Sequence, residues 1–273
     1  MTDEQRGACT VAVVTGAGRG FGRDIARRLV ARGHQVVITD LDEAAVGATA
    51  AEIGATGIVA DARLADDHRR VGAAAQALGP VRVWVNNAGV LRAGKVWEHA
   101  DDDVALMIEA NLLGVVHGSR AAVEVMRTPV AGVGDGHLLN IASMSAHGPV
   151  PGLAVYAATK AAVLNFSLSL QGDLDLEGLP IRVHALCPDA ADTAMVRAEQ
   201  GHRDTAILFS QTTLLPSDEV ADAALTLLDG RRMVRSMPPL RAAMARTGAL
   251  LPRIGLPALA RMRAQGERRR AGA

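Results

Sequence analysis

Short apolar runs rich in β-branched residues alternate with longer segments rich in alanine, leucine and arginine along most of this chain. The runs typical of strands are residues 10–15, 35–40, 57–60, 81–86, 137–141 and 181–186. The patterns typical of helices are residues 21–32, 42–53, 66–78, 102–127, 154–177 and 216–229. Strands that alternate with helices need crossover connections, which cover both faces of a parallel sheet. Because such crossovers are right-handed, the pattern predicts an α/β fold with a doubly wound, Rossmann-like parallel sheet in three layers.

Length and composition fit one domain. The chain has 273 residues, 49% of them hydrophobic, which is enough for a sizeable core. Since no internal repeat or linker divides it, we expect a single domain over residues 8–235. Residues 236–273, called the C-terminal extension below, are basic and partly helical in pattern, and we expect them to belong to the same domain.

The residue content disfavours several other classes of protein. The polar start MTDEQRGACT and the lack of any run of about 18 apolar residues predict neither a signal peptide nor a membrane span, so we expect a cytoplasmic protein. Cys9, Cys187 and the eight scattered histidines lack zinc-like spacing, so we expect no disulfide and no metal site. Aromatic residues make up 2%, too few for a base-stacking platform, so we expect no nucleic-acid partner. Ser143 lies in IASMS and not in the G-x-S-x-G turn of an α/β hydrolase.

A glycine-rich loop, TGAGRGFG at residues 15–22, lies between the first predicted strand and the first predicted helix. Glycines permit a tight turn and let the backbone approach a pyrophosphate, whose charge a helix N-terminus stabilises. Asp40 ends the second strand, 24 residues after Gly16, where an acid can accept hydrogen bonds from ribose hydroxyl groups. The loop in this context predicts a dinucleotide-binding site.

Asp40 also bears on which dinucleotide is bound. Its carboxylate would repel a 2′-phosphate, and the next residue, Leu41, offers no cation to hold one. Arg19, inside the glycine loop, is a cation that can swing towards such a phosphate. The balance favours NAD and leaves NADP as the alternative.

Tyr156, the only tyrosine, lies four residues before Lys160, one of only two lysines, in the segment YAATK. Residues four apart lie on one face of a helix, one turn from each other. A tyrosine has a pKa near 10, which is too high for an efficient base at neutral pH. A nearby ammonium and the positive ring of an oxidised nicotinamide would favour the phenolate and lower that pKa. The pair therefore predicts an acid/base and the residue that tunes it.

Together these motifs resemble the classical short-chain dehydrogenase/reductase family over about residues 8–230. The residues that carry the resemblance are Thr15, Gly16, Gly20, Gly22, Asp61, the NNAG segment at 86–89, Asn111, Ser143, Tyr156 and Lys160. In the family, Asp61 corresponds to an adenine-contacting acid and Asn111 to a structural and relay asparagine. Ser143 precedes Tyr156 by 13 residues, a separation like that of the family.

The resemblance implies an oxidoreductase that interconverts a secondary alcohol and a ketone with NAD(H). Its catalytic residues would be Asn111, Ser143, Tyr156 and Lys160. Tyr156 would exchange a proton with the substrate oxygen, which Ser143 would hydrogen-bond. Lys160 would also hold the nicotinamide ribose, and Asn111 would position a water in the proton path. The cofactor-binding residues would be Gly16, Arg19, Gly20, Phe21, Gly22, Asp40, Leu41, Asp61, Ala62, Asn87, Ala88, Gly89, Tyr156, Lys160, Pro188 and Thr193.

Two further points follow from the resemblance. A regulatory protein of the same fold that binds the cofactor without turnover is the alternative function. The family also implies a homo-oligomer, either a dimer or a homotetramer, formed through the helices predicted at 102–127 and 154–177.

The segment CPDAADT, residues 187–193, departs from the family pattern. The family has Pro-Gly and then a threonine that faces the nicotinamide carboxamide, whereas Asp189 stands here in place of the glycine. Aspartate tolerates left-handed backbone better than most residues, so the turn can survive the change. The role of Thr193 depends on that turn.

Two apolar stretches indicate the kind of substrate. The segment after Ser143 and the segment between Thr193 and Pro216 match the family's pocket and substrate loop, and neither holds a cluster of cations. The candidate pocket residues are Met144, Leu153, Met195, Leu208 and Phe209. We expect a lipophilic alcohol or ketone, steroid- or terpene-like. The alternative is that these side chains belong to a lid packed on the protein body.

The C-terminal extension departs from the common family ending. From Arg231 onward the chain holds eleven arginines and one acid, a charge of +10, while the whole chain has a net charge of zero. Charge separated in this way favours a solvated segment packed on an acidic body. Its apolar and arginine positions have partly helical spacing, broken by Pro252 and Pro257. The open alternatives are a contact with a membrane surface, which we do not favour, a lid over an apolar pocket, and a dimer contact.

Overall fold

One parallel sheet organises the computed structural model, which describes residues 10–127, 135–210 and 213–271. Within those residues the sheet has seven strands: β1 Val11–Thr15, β2 Gln35–Asp40, β3 Thr56–Val59, β4 Val81–Asn86, β5 Gly136–Ile141, β6 Ile181–Pro188 and β7 Val234–Met237. Their order across the sheet is β3-β2-β1-β4-β5-β6-β7, and every neighbouring pair is parallel. The doubly wound α/β fold is therefore confirmed. β7 was not predicted, because its four residues include Arg235 and no continuous apolar run.

The helices occur where the periodicity placed them, with one interruption. They are α1 Gly20–Ala31, α2 Glu43–Ile53, α3 Ala65–Leu78, α4 Asp101–Ile108, α5 Gly114–Met126, α6 Ala154–Leu176, α7 Ala194–Ala198, α8 Ser217–Leu228, α9 Pro239–Leu250 and α10 Pro252–Ala271. The single helix predicted at 102–127 is divided into α4 and α5 by a π-helical turn, Glu109–Leu113. Such turns recur at functional sites, and this one contains Asn111.

The C-terminal extension is more helical than the sequence pattern indicates. Pro252 begins α10, a position where a proline costs no hydrogen bond. Pro257 does not break the helix as predicted, because α10 continues through it with the loss of one backbone N–H donor. β7 includes residues on both sides of the predicted boundary at 235/236.

Both faces of the sheet are buried, and alternate residues of one strand show it. Ala12 and Val14 of β1 pack in a core cluster with residues of α1 and α8, whereas Val11 and Val13 pack with residues of α3 and α5 on the opposite face. Successive side chains of a strand point to opposite faces, so a strand covered on both sides must be apolar throughout. This is why β1 reads VAVVT without alternation.

A buried polar cluster joins β4, β5 and α5 beneath the carboxyl end of the sheet. Asn86 accepts a hydrogen bond from Trp84 Nε1 at 2.9 Å and donates to Asn140 Oδ1 at 2.9 Å and to Ser119 Oγ at 3.1 Å. Gly118 of α5 lies so close that an added Cβ would collide with Asn86 Oδ1. Since buried polar groups are costly without partners, this cluster fixes the positions of the three elements.

Replacing Asn86 with alanine tests that role. The change leaves the Trp84 indole N–H and Asn140 Oδ1 without their partner, so we expect the free energy of unfolding to fall by about 3 kcal/mol. Urea denaturation of the wild type and of Asn86→Ala measures this difference. Asn165→Ala, on the exposed side of α6, is the matched control. Equal losses in the two variants would contradict the assignment.

Candidate active site

The glycine loop is held tightly against the end of β4. Gly16 has a left-handed backbone, with φ of 61°, and an added Cβ would lie 2.6 Å from Ala88 Cα. Asn87 Nδ2 donates to the carbonyl oxygens of Thr15 and Gly16, at 3.0 and 2.8 Å. Gly20, at the start of α1, faces open space, because a Cβ there would meet nothing nearer than the Thr193 methyl at 3.9 Å. The loop and the first turn of α1 therefore form a cradle of the kind that holds a pyrophosphate.

Asp40 lies at the end of β2 beside this cradle. Its Oδ2 accepts a hydrogen bond from Gly18 N at 2.9 Å, and its Oδ1 accepts one from Asp42 N at 3.1 Å. Arg19 Nη2 lies 2.8 Å from Asp42 Oδ2, so the cation of the loop is paired with a second acid. Leu41 is 65% exposed and contributes no charge.

Asp61 follows β3 and is paired with a residue that the sequence motifs did not indicate. Arg63 Nε donates to both carboxylate oxygens of Asp61 at 3.0 Å. This guanidinium holds the pKa of Asp61 below its ordinary value. Arg63 lines the same cavity as Asp61 and Ala62.

Tyr156 and Lys160 lie one turn apart on α6, and Ser143 lies opposite them at the end of β5. The Tyr156 and Ser143 side chains line the same cavity. Lys160 is 4% exposed, and its Nζ donates to the Ile141 carbonyl oxygen at 2.9 Å. The same Nζ is 5.8 Å from the centre of the Tyr156 ring. Parallel strands and one long helix thus bring the three side chains together.

Burial governs the pKa values of this group. It raises the pKa of the Tyr156 phenol, and the interaction with the Ser143 side chain acts in the opposite direction. It lowers the pKa of the Lys160 ammonium to about 8. The expected lowering of the tyrosine pKa is therefore not produced by the groups of the protein itself, because desolvation disfavours the phenolate.

Asn111 is completely buried in the π-helical turn. Its Nδ2 donates to the Val90 carbonyl oxygen at 2.9 Å, and its Oδ1 accepts from Val90 N at 2.7 Å. Nδ2 also lies 3.3 Å from Thr159 Oγ1 on α6. The side chain therefore ties the segment after β4 to α6, and the predicted positioning of a water stays a prediction.

Asp189, the departure from the family pattern, does not face the glycine cradle with a free carboxylate. It does not adopt left-handed backbone, since β6 runs extended through Pro188. Its Oδ2 lies 2.5 Å from Arg241 Nε of α9. Thr193 caps α7, with its Oγ1 accepting from Val196 N at 3.3 Å. The turn survives because the acid is neutralised by the C-terminal extension.

A cavity of about 1340 Å³ connects these features. The predicted catalytic and cofactor residues that line it are Gly16, Arg19, Gly20, Phe21, Asp40, Leu41, Asp61, Ala62, Asn87, Ala88, Gly89, Asn111, Ser143, Tyr156, Lys160, Pro188 and Thr193. Gly22 does not line the cavity, because it packs beneath the loop, where a Cβ would collide with the Gly16 carbonyl oxygen.

Four of the five predicted pocket residues line the same cavity, namely Met144, Leu153, Met195 and Leu208. Phe209 does not. It is the last residue of the 3-10 helix Arg203–Phe209, from which Ile207 and Leu208 line the cavity. Helices α9 and α10 supply a further wall of the cavity. A lid over an apolar pocket was one of the three alternatives for the C-terminal extension.

Two other features bear on the kind of site. Within residues 10–127, 135–210 and 213–271, no group of three or more His, Cys, Asp or Glu side chains is arranged to hold a metal ion. Among the same residues, no helix is both long enough and apolar enough to cross a bilayer. Cys9 lies outside the described residues, and Cys187 is buried as a free thiol.

Comparison with known proteins agrees with this geometry. The family model described as short chain dehydrogenase matches residues 10–204. The probable oxidoreductase EphD of Mycobacterium tuberculosis is 34% identical, with 93% of this chain and 45% of EphD covered, so the chain spans about half the length of that relative. The 1-deoxy-11-beta-hydroxypentalenate dehydrogenase of Streptomyces avermitilis is 35% identical, with 82% of each protein covered. A crystal structure of a short-chain dehydrogenase/reductase from Burkholderia phymatum in complex with NAD superposes with a TM-score of 0.79 at 28% identity, covering 87% of this chain and 92% of that one.

The fold and the site thus define a doubly wound α/β protein whose glycine cradle and Tyr156–Lys160 pair border one cavity. The chain belongs to the short-chain dehydrogenase family.

The buried ammonium of Lys160 predicts a pH dependence of stability. Its pKa is about 8 in the folded protein and 10.5 as an ordinary lysine, so the folded state binds fewer protons between those values. The cost of burying this charge therefore falls as the pH rises through that window, by up to about 3 kcal/mol. We expect the free energy of unfolding of the wild type, measured relative to Lys160→Met, to rise from pH 8 to pH 10.5. Lys95→Met removes the other lysine, at the surface, and is the matched control. If the difference in free energy of unfolding between the wild type and Lys160→Met stays constant from pH 8 to pH 10.5, the expectation is wrong.

Proposed function

We propose that the protein is an NAD(H)-dependent dehydrogenase/reductase that interconverts a secondary alcohol and a ketone. The observation that carries the proposal is the meeting of Tyr156, Ser143 and Lys160 at one cavity beside the glycine cradle. This arrangement places a proton donor or acceptor, a hydrogen-bonding group and a buried cation where one substrate oxygen can reach them.

The residues present fit a dinucleotide. The glycine cradle at 16–20 and the start of α1 would hold the pyrophosphate, Asp40 the adenosine ribose, and Asp61 with Ala62 the adenine. Asn87, Ala88 and Gly89 would border the cofactor, and Lys160, Pro188 and Thr193 would hold its nicotinamide end. A bound nicotinamide would supply or accept the hydride.

Tyr156 would act as the acid in ketone reduction and as the base in alcohol oxidation. Burial keeps its phenol protonated at neutral pH, which suits donation of the proton to the oxygen of a reduced ketone. In the reverse direction, the nearby Lys160 cation would favour loss of that proton. Ser143 would orient the substrate oxygen and stabilise the charge that develops on it.

Several observations favour NAD over NADP. Asp40 borders the cradle, Leu41 carries no charge, and Arg19 is paired with Asp42 and not directed at a phosphate. The superposed Burkholderia protein holds NAD. A 2′-phosphate would therefore meet a carboxylate without a free cation from the glycine loop.

The substrate that we propose is a lipophilic alcohol or ketone, steroid- or terpene-like. Met144, Leu153, Met195 and Leu208 give the cavity an apolar wall near Tyr156. The Streptomyces relative is named for the oxidation of 1-deoxy-11-beta-hydroxypentalenate. We further propose a cytoplasmic homo-oligomer, a dimer or tetramer, formed through the outer faces of α4 to α6. The exposed side chains of Ile108, Leu113 and Leu168 lie on these elements and support that surface.

Replacing Tyr156 with phenylalanine tests the proposed chemistry. The change removes one hydroxyl group from the cavity, so we expect kcat for reduction of a lipophilic ketone to fall about 1,000-fold. NADH absorbance measures the rate, and NADH fluorescence measures cofactor binding, which should change little. A protein that binds NADH but turns over no ketone even as the wild type would instead be a regulatory cofactor-binding protein.

A titration with NADH and, separately, with NADPH tests the cofactor preference. We expect tighter binding of NADH, and we expect Asp40→Ser to reduce the preference about tenfold, because the repulsion of a 2′-phosphate is removed. Asp42→Ser is the matched control for loss of an acid nearby, and it also releases Arg19. Tighter NADPH binding by the wild type would show that Arg19 outweighs Asp40.

A further inference from the structure

The C-terminal extension packs on the protein body beside the site, while most of its residues stay exposed to solvent. Gly148, five residues after Ser143, lies against α9, where an added Cβ would be 2.8 Å from the Ala245 carbonyl oxygen. Gly266 of α10 lies against the 3-10 helix Arg203–Phe209, where a Cβ would collide with the Ala206 carbonyl oxygen. Glycines at both contacts let the backbones approach, which fixes the extension on the two segments that border the pocket.

Two buried carboxylates hold the extension from below. Arg241 Nε of α9 lies 2.5 Å from Asp189 Oδ2, and Arg263 Nη2 of α10 lies 2.7 Å from Asp204 Oδ1. Asp204 is completely buried. In both pairs the N–H groups are not aligned on the oxygen, so the contacts are ion pairs more than hydrogen bonds. Removing Arg241 would take the ion-pair partner from Asp189, and removing Arg263 would leave Asp204 with the more distant side chains of His202 and Arg203, at 3.9 and 4.0 Å. Both losses are costly for carboxylates shielded from water.

The inner faces of α9 and α10 form a continuous apolar wall. α9 lines the cavity with residues 241, 243, 244, 245, 247 and 248, and α10 lines it with residues 254, 255, 258, 259 and 262. Residues 241, 244, 245 and 248, like residues 255, 258, 259 and 262, have the spacing i, i+3, i+4, i+7 of one helix face, and residues 243, 247 and 254 widen that face. Among the described residues of the extension, Arg241 is the one charged residue in this wall, and it is already paired with Asp189.

The exposed apolar side chains of the extension divide into two groups. Met244, Leu251 and Ile254 are 59%, 53% and 69% exposed, and all three line the cavity. Leu240, Leu250 and Leu256 are exposed but do not line it. Apolar surface that faces a cavity gains about 25 cal/mol per Å² when a ligand covers it, so the first group is suited to an apolar ligand.

We propose that the C-terminal extension forms the distal wall of the substrate pocket and determines the length of the apolar substrate. The end of the substrate remote from the reacting carbon lies against Met244, Ile254, Leu259 and Met262. The substrate class is an elongated or polycyclic apolar alcohol or ketone. The proposal rests on the function proposed above, because it assigns the far end of the same pocket.

Bulky substitutions on the two sides of the extension test this wall. Leu259→Trp fills the inner face, and Leu250→Trp, on an 81% exposed side chain outside the cavity, is its matched control. The probes are methyl ketones from butan-2-one to dodecan-2-one, with NADH consumption as the readout. For Leu259→Trp we expect kcat/KM to fall at least tenfold for dodecan-2-one and less than twofold for butan-2-one. Leu250→Trp should change neither.

A second variant and a second measurement separate the possible failures. Met262→Ala removes side-chain volume from the same wall and so enlarges the pocket. It should raise kcat/KM for dodecan-2-one relative to that for butan-2-one. If Leu259→Trp and Met262→Ala each affect short and long ketones equally, or if neither has an effect, the proposal that the extension determines substrate length is wrong. The function proposed above would still stand. Calorimetric binding of dodecan-2-one does not depend on turnover. If the wild type binds this ketone without reducing it and Leu259→Trp abolishes binding, the wall is supported and the proposed chemistry fails.

Discussion

The site depends on the parallel pairing of β1, β4, β5 and β6. Parallel strands end at the same edge of a sheet, so the glycine loop after β1, the NNAG segment after β4 and Ser143 after β5 meet there. The pairing is reinforced by the cluster around Asn86, which leaves little freedom for β4 to slide against β5. A shift of one residue would turn the inward side chains outward and separate Ser143 from α6.

Burial shifts the pKa values of the side chains at the site, and keeping a charge away from water costs stability. Lys160 is nearly inaccessible, and its ammonium donates to the backbone carbonyl oxygen of Ile141. The same desolvation raises the pKa of Tyr156. Active sites commonly combine burial and nearby charge in this way, since a group in water would keep its ordinary pKa. The pKa values of Tyr156 and Lys160 are therefore set more by burial than by the distance between the two side chains.

Much of the fold and of the reacting group could be predicted from sequence, because strand and helix periodicity is local and the YAATK spacing places both side chains on one face. The π-helical turn at Asn111 could not, since it depends on hydrogen bonds to Val90, 21 residues away. The pairing of Asp189 with Arg241 could not be predicted from the sequence either. Asp189 looked anomalous only because its partner lies far along the chain, in the extension. Phe209 does not line the cavity whereas Ile207 does, and both lie in one apolar run of the sequence, residues 206–209, which does not distinguish them.

The contact between α10 and the 3-10 helix at 203–209 has a consequence for the order in which the molecule is made. Asp204 leaves the ribosome long before Arg263, so its carboxylate lacks this 2.7 Å ion pair during that part of synthesis and has the more distant Arg203, at 4.0 Å, beside it. The sheet and the glycine cradle consist of segments that are all complete by Met237. We therefore expect the sheet and the glycine cradle to form first, while the opposite end of the pocket is still exposed to solvent. Until α10 arrives, the apolar interior of that pocket is a surface that a chaperone can recognise.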